Sequence, residues 1–74
     1  MKVGDRVKVE QCLGTLIEMS QAPLDELLAG RGDLRKRLGE FWCVRFDGVG
    51  PNKTGYGIYH RASYKIYRMP TVSP

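Results

Sequence analysis

Apolar and polar residues alternate from the start of the chain. Val7 and Val9 share one face while Lys8 points the other way. A period of two marks a half-buried β-strand, and Gly4-Asp5 just ahead supplies turn chemistry. The first strand is therefore placed at Arg6–Glu10. Gly14 then reverses the chain into a second strand, Gly14–Met19, with Thr15, Ile17 and Met19 on one face and Leu16 and Glu18 on the other. Both faces carry apolar groups, so the pattern leaves open which of them is buried.

The period changes in the middle of the chain. Leu24, Leu27 and Leu28 recur at i, i+3 and i+4, the stripe of an amphipathic helix. Ser20 is placed as its cap and Pro23 near its first turn, and Asp25-Glu26 favour the positive end of the helix dipole. Gly30 and Gly32 interrupt, Asp33 can cap a second turn over Leu34–Leu38, and Gly39 closes it. Pro23–Leu38 is thus one broken helix or two short ones. Its stripe must pack on something, because an isolated helix of this length is marginal in water.

Alternation returns over Glu40–Asp47. Trp42, Val44 and Phe46 fall on one face and Phe41, Cys43 and Arg45 on the other, which defines strand three. Turn formers from Asp47 to Gly55 predict an exposed hairpin loop. Strand four is Tyr56–His60, Arg61–Ser63 is a short connection, and strand five is Tyr64–Arg68 with Ile66 directed inward.

This pattern resembles the SH3-like barrel superfamily, which includes Tudor and KOW modules. The residues that carry the likeness are Val3-Gly4-Asp5-Arg6-Val7-Lys8-Val9, Gly14-Thr15, Val44-Arg45-Phe46-Asp47, and the closing run Tyr56 to Ile66. The resemblance implies a mainly β fold, a five-stranded half-open barrel with a short helical insertion between strands two and three. In such barrels a helical turn links the last two strands, and Arg61-Ala62-Ser63 has the length for it. One domain then covers residues 1–69, with 20–39 as the insertion and 70–74 as a tail. The likeness does not reach a KOW-type RNA-binding consensus, and it carries no function, since barrels of this kind serve many ligands.

Composition narrows the classes. The chain has 74 residues, too few for more than one domain, and no apolar run approaches the roughly 18 residues that span a bilayer. An apolar leader core is missing from the N-terminus, so a cytoplasmic protein is expected. Cys12 and Cys43 are read as reduced, since one bridge is a thin staple for a secreted domain of this size. With His60 they make three candidate zinc ligands where four are needed, so no metal and no cofactor is expected. His60 has no evident partner and neither cysteine has an evident base, so no catalytic residue is named, and neither an enzyme nor a small-molecule substrate is expected.

The charge is uneven. The net charge is +4, yet residues 1–30 hold three Lys or Arg against five acids, and residues 31–74 hold nine against three. Two surfaces follow. Arg45, Lys53, Tyr59, Arg61, Lys65, Tyr67 and Arg68 mix cations with aromatic rings, the combination that stacks bases and meets phosphates in single-stranded DNA or RNA. Tyr56 and Tyr64 lie in the same stretch, and the competing explanation is that two of the four tyrosines complete the barrel core while the others cover strand edges. Leu24, Leu27 and Leu28, with Arg35 and Arg37, form the second surface, suited to a protein partner or to self-association. Lys or Arg near a helix end also serves the dipole and solubility. An aromatic cage built on Trp42 and Asp47 is a further arrangement of the same parts, and Trp42 on a face with Val44 and Phe46 favours core packing instead. The favoured expectation is a small non-enzymatic binding module that works through the helical insertion or a strand edge, and the alternative is nucleic-acid binding through the basic, tyrosine-rich C-terminal surface.

Overall fold

The computed structural model describes residues 1–51 and 53–69; the tail expected over 70–74 lies outside them. The elements, in chain order, are β1 (Arg6–Val9), β2 (Cys12–Ile17), α1 (Leu24–Leu27), α2 (Gly32–Arg35), β3 (Phe41–Phe46), β4 (Tyr56–His60) and β5 (Ile66–Arg68). Single 3-10 turns at Met19–Gln21 and Leu38–Glu40 flank the two helices. The five strands form one curled antiparallel sheet in the order β4-β3-β2-β1-β5, a meander whose last strand returns to pair with the first.

The inner face of the sheet is the core. Val7, Val9, Leu16, Val44, Phe46 and Ile66 are buried together, and Cys12, Trp42 and Tyr59 pack against them. In β2 it is therefore Leu16 that turns inward, with Thr15 and Ile17 on the outer face. Trp42, Val44 and Phe46 share the inner face as the alternation predicts, and Ile66 is buried.

Several boundaries differ from the sequence reading. The first reversal is at Glu10-Gln11, not at Gly14: Val9 pairs with Cys12, and Glu10 and Gln11 have φ of 48° and 72°. Positive φ at both central residues is the signature of the two-residue turn that matches strand twist. Strand one thus ends before Glu10, and strand two begins at Cys12 and stops at Ile17. Gly14 lies within β2, opposite Phe46. A Cβ there would sit 2.6 Å from Val44 Cγ1 and 2.9 Å from the Arg45 carbonyl oxygen, so glycine is required by close packing instead of by a turn.

Ser20 is part of the first 3-10 turn, and Pro23 occupies the position before α1 without a side-chain cap. Strand five starts at Ile66 because Tyr64 and Lys65 remain in the preceding turn, where Lys65 N–H donates to Ser63 Oγ at 3.2 Å.

The connection between β2 and β3 packs on the other side of the sheet. Leu28 and Cys43 are buried, at 3% and 1% exposure, yet neither belongs to the inner cluster. Cys43 stands on the outer face in a row with Ile17 and Ile58. β3 is consequently covered on both faces over part of its length, and Phe41-Trp42-Cys43-Val44 reads as a continuous apolar run for that reason.

Candidate binding surfaces

β4 is one edge of the sheet, and its register on β3 fixes which of its backbone groups face outward. Arg61 N–H donates to the Glu40 carbonyl at 2.9 Å and Phe46 N–H to the Gly55 carbonyl at 2.8 Å. Antiparallel pairs alternate between hydrogen-bonded and non-bonded, so Gly57 and Tyr59 exchange bonds with Val44 and Trp42, while Tyr56, Ile58 and His60 turn their N–H and C=O groups away from β3. Thr54 Oγ1 donates to the Tyr56 carbonyl at 2.7 Å, and Ser63 N–H to the His60 carbonyl at 2.9 Å. Three N–H groups, of Tyr56, Ile58 and His60, and the Ile58 carbonyl are left without a backbone partner among the described residues.

A groove of ≈ 640 Å³ runs beside this edge, between β4 and the β2–β3 connection. Leu27, Leu34, Phe41, Tyr56, Ile58 and His60 are among its walls. At one end Glu40 accepts two bonds from Arg37, at 2.8 and 3.2 Å, which hold its carboxyl below the usual range and raise the Arg37 guanidinium. His60 stacks edge-on against Phe41 with ring centroids 5.4 Å apart, and its Nδ1 accepts the Ala62 N–H at 3.0 Å. His60 Nε2 lies 4.0 Å from Glu40 Oε1. This end of the groove is thus pinned by side chains from the connection, β3 and β4.

The arginines of the connection are occupied. Arg35 donates to Asp25 at 2.7 Å, joining α2 to α1, Arg37 is held by Glu40, and Arg31 lies 3.9 Å from Asp33. Leu28 is buried in packing, while Leu24 and Leu27 are half-buried, so of the leucine stripe only these two reach the surface.

The basic and aromatic residues of the C-terminal half do not gather on one face. Tyr59 is on the inner face beside Trp42, and its burial raises the phenol pKa, with Glu10 and Cys12 adding to the effect. The Arg61 guanidinium lies 4.1 Å from the centre of the Trp42 ring, a cation–π contact that caps the core. Arg68 is 3.5 Å from Asp5. Lys53 sits in the β3–β4 loop with φ of 62°, and Lys65 in the turn before β5. Arg45 and Tyr67 remain, both exposed and both on the outer face.

That outer face contains residues the charge pattern did not single out. One row across four strands is Arg6, Thr15, Arg45 and Tyr56, and the next is Leu13, Lys8 and Tyr67. Lys8 already faced outward in the alternation, but only the pairing of β1 with β5 sets it opposite Tyr67. The β4 edge had no signal in the sequence beyond the strand itself, because which strand ends a sheet depends on long-range pairing.

Both cysteines are free; Cys12 is half-buried, and burial pushes the Cys43 thiol up to about 11. Among the described residues, no group of three or more His, Cys, Asp or Glu is placed to hold a metal ion, and no helix is long and apolar enough to cross a membrane. No protein-family model, curated protein or solved structure matches the chain.

Proposed function

We propose that the protein is a non-enzymatic binding module that takes an extended segment of a protein partner along the edge of β4. The observation that carries this reading is the run of unpartnered N–H groups at Tyr56, Ile58 and His60, with the Ile58 carbonyl, beside a groove walled by Leu27, Leu34 and Phe41. An added strand supplies acceptors at a two-residue spacing, and its alternate side chains enter the groove, which is the logic of strand addition. An edge left open in this way otherwise invites uncontrolled pairing, so a bounded groove beside it favours one partner strand over a sheet.

The same reading treats the fold as an SH3-like half-open barrel in which the β2–β3 connection is an insertion that builds one wall of the site. The meander order, with β5 returning to β1, and the tight turn at Arg61-Ala62 support it. Two free thiols fit a reducing, cytoplasmic setting.

Selection from a library of displayed random peptides tests the proposal. The selected peptides are expected to shift the amide resonances of Tyr56, Ile58 and His60. Ile58→Pro removes an N–H that points away from β3, which an edge strand tolerates, and should abolish binding while the β3–β4 ladder persists. Peptides that bind through other residues, or that bind Ile58→Pro as well as the parent, would refute the assignment.

A further inference from the structure

The β2–β3 connection covers only part of the outer face of the sheet. Beyond the groove, Tyr67 of β5, Lys8 of β1, Leu13 and Thr15 of β2 and Arg45 of β3 face outward side by side. We propose that this open face binds single-stranded nucleic acid, with Tyr67 stacking on a base and Lys8 and Arg45 meeting phosphates.

Three observations lead there. Tyr67 is 62% exposed on a strand whose neighbour Ile66 is buried, so its ring stands free above the sheet. Leu13, 43% exposed, continues the apolar surface on the far side of Lys8. Among the described residues, Lys8 and Arg45 have no carboxylate within ion-pair distance, whereas Arg31, Arg35, Arg37 and Arg68 are each paired. Uncompensated positive charge therefore lies on this face, whereas on the connection, where the sequence is richest in arginine, the three arginines are paired and Lys36 alone among its described cations is not. Asp47 tempers it: although paired with Arg6, its carboxylate also feels the Arg45 charge.

A strand laid across β5, β1, β2 and β3 meets the aromatic ring first, then Lys8 with Leu13, then Arg45. From Lys8 to Arg45 is two strand spacings, about 9.5 Å, across the sheet and two residues, about 7 Å, along it. Stacking needs an unpaired base, because the bases of a duplex present no free face to a side chain on an open sheet face. An acidic protein surface would satisfy the cations but would leave the ring without a use.

Fluorescence anisotropy with a short labelled single-stranded oligonucleotide tests the inference, beside the same sequence as a duplex and a labelled polyglutamate peptide. Binding to the single strand is expected at low salt and should weaken as salt rises. Tyr67→Ala should weaken it about 5- to 160-fold and Tyr67→Phe should preserve it. Lys8→Glu with Arg45→Glu should abolish binding, while the neutral pair Lys8→Gln with Arg45→Gln lowers the slope of log K against log salt by about 1.4. Ile58→Pro should leave it unchanged, which separates this face from the β4 edge. On the unmodified protein, the oligonucleotide should shift the amides of Lys8, Arg45 and Tyr67. Absence of binding at low salt, indifference to Tyr67→Ala, polyglutamate bound as tightly as the oligonucleotide, or shifts confined to other residues would each overturn it.

Discussion

Arg6 and Asp47 join the first strand to the end of the third across the strand between them. Both terminal nitrogens of the guanidinium donate to the Asp47 carboxylate, and Nη1 also donates to Thr15 Oγ1 of β2 at 2.7 Å. The hydrogen bonds from Arg6 hold the Asp47 carboxyl below its usual range, and the Arg37 bonds do the same for Glu40. A carboxyl with a lowered folded pKa contributes stability above its unfolded pKa and loses that contribution as pH falls through the folded one. The urea midpoint should therefore decline below about pH 4. Asp47→Asn with Glu40→Gln should flatten that decline and, because both pairs are exposed, lower the neutral-pH midpoint only slightly. An acid profile identical to the parent's would show that these pairs carry no pH dependence.

Gly14 tests the packing between β2 and β3. A methyl group there meets Val44 Cγ1 and the Arg45 carbonyl at distances that require the strands to move. Gly14→Ala should cost about 1–3 kcal/mol in chemical denaturation. Gly39→Ala, where an added Cβ meets nothing within 4 Å, should stay within about 0.5 kcal/mol. Equal effects of the two substitutions would contradict the close approach.

The Glu10-Gln11 turn holds two side-chain-bearing residues at positive φ. Replacing the pair with Asn-Gly, which suits that conformation, should stabilise the protein by about 1 kcal/mol. A lowered thermal midpoint would mean that these two side chains make contacts worth more than the relief of backbone strain.

The two thiols should report different environments. Near pH 8, an aromatic disulfide reagent should modify half-buried Cys12 first and reach Cys43 only as the protein opens. The raised Cys43 pKa also makes a stability term that is full below pH 9.0 and is lost as pH rises through about 11. Titration of both thiols at one rate in the folded protein would place Cys43 outside the packed interior.

Much of the strand framework was legible in the sequence, for a local reason. β4 runs over Tyr56–His60 as read, because a run of turn formers precedes it and the short Arg61–Ser63 connection follows. Trp42, Val44 and Phe46 announced the inner face of β3 through alternation alone. The first hairpin was misread because Glu10-Gln11 lacks the residues that usually mark a positive-φ turn, while Gly14, which does look like one, answers to Val44 thirty residues away. The leucine stripe showed that the connection must dock, but not that Leu28 would be buried on the outer side of the sheet. The binding surfaces were least visible. Lys8 and Tyr67 meet only through the β1–β5 register, and Arg35 and Arg37 looked available because their pairing with Asp25 and Glu40 depends on how the short helices fold back.

Coverage of β3 from both sides also bears on how the molecule comes apart. This strand gives one set of backbone bonds to β2 and the other to β4, and its side chains near Cys43 and Val44 are enclosed above and below. Freeing its centre means detaching β2 or β4, and β4 carries Tyr59 against the inner core on one face and contacts α1 on the other. The amides of Cys43 and Val44 are thus expected to be among the slowest to exchange with solvent, with protection approaching the free energy of global unfolding.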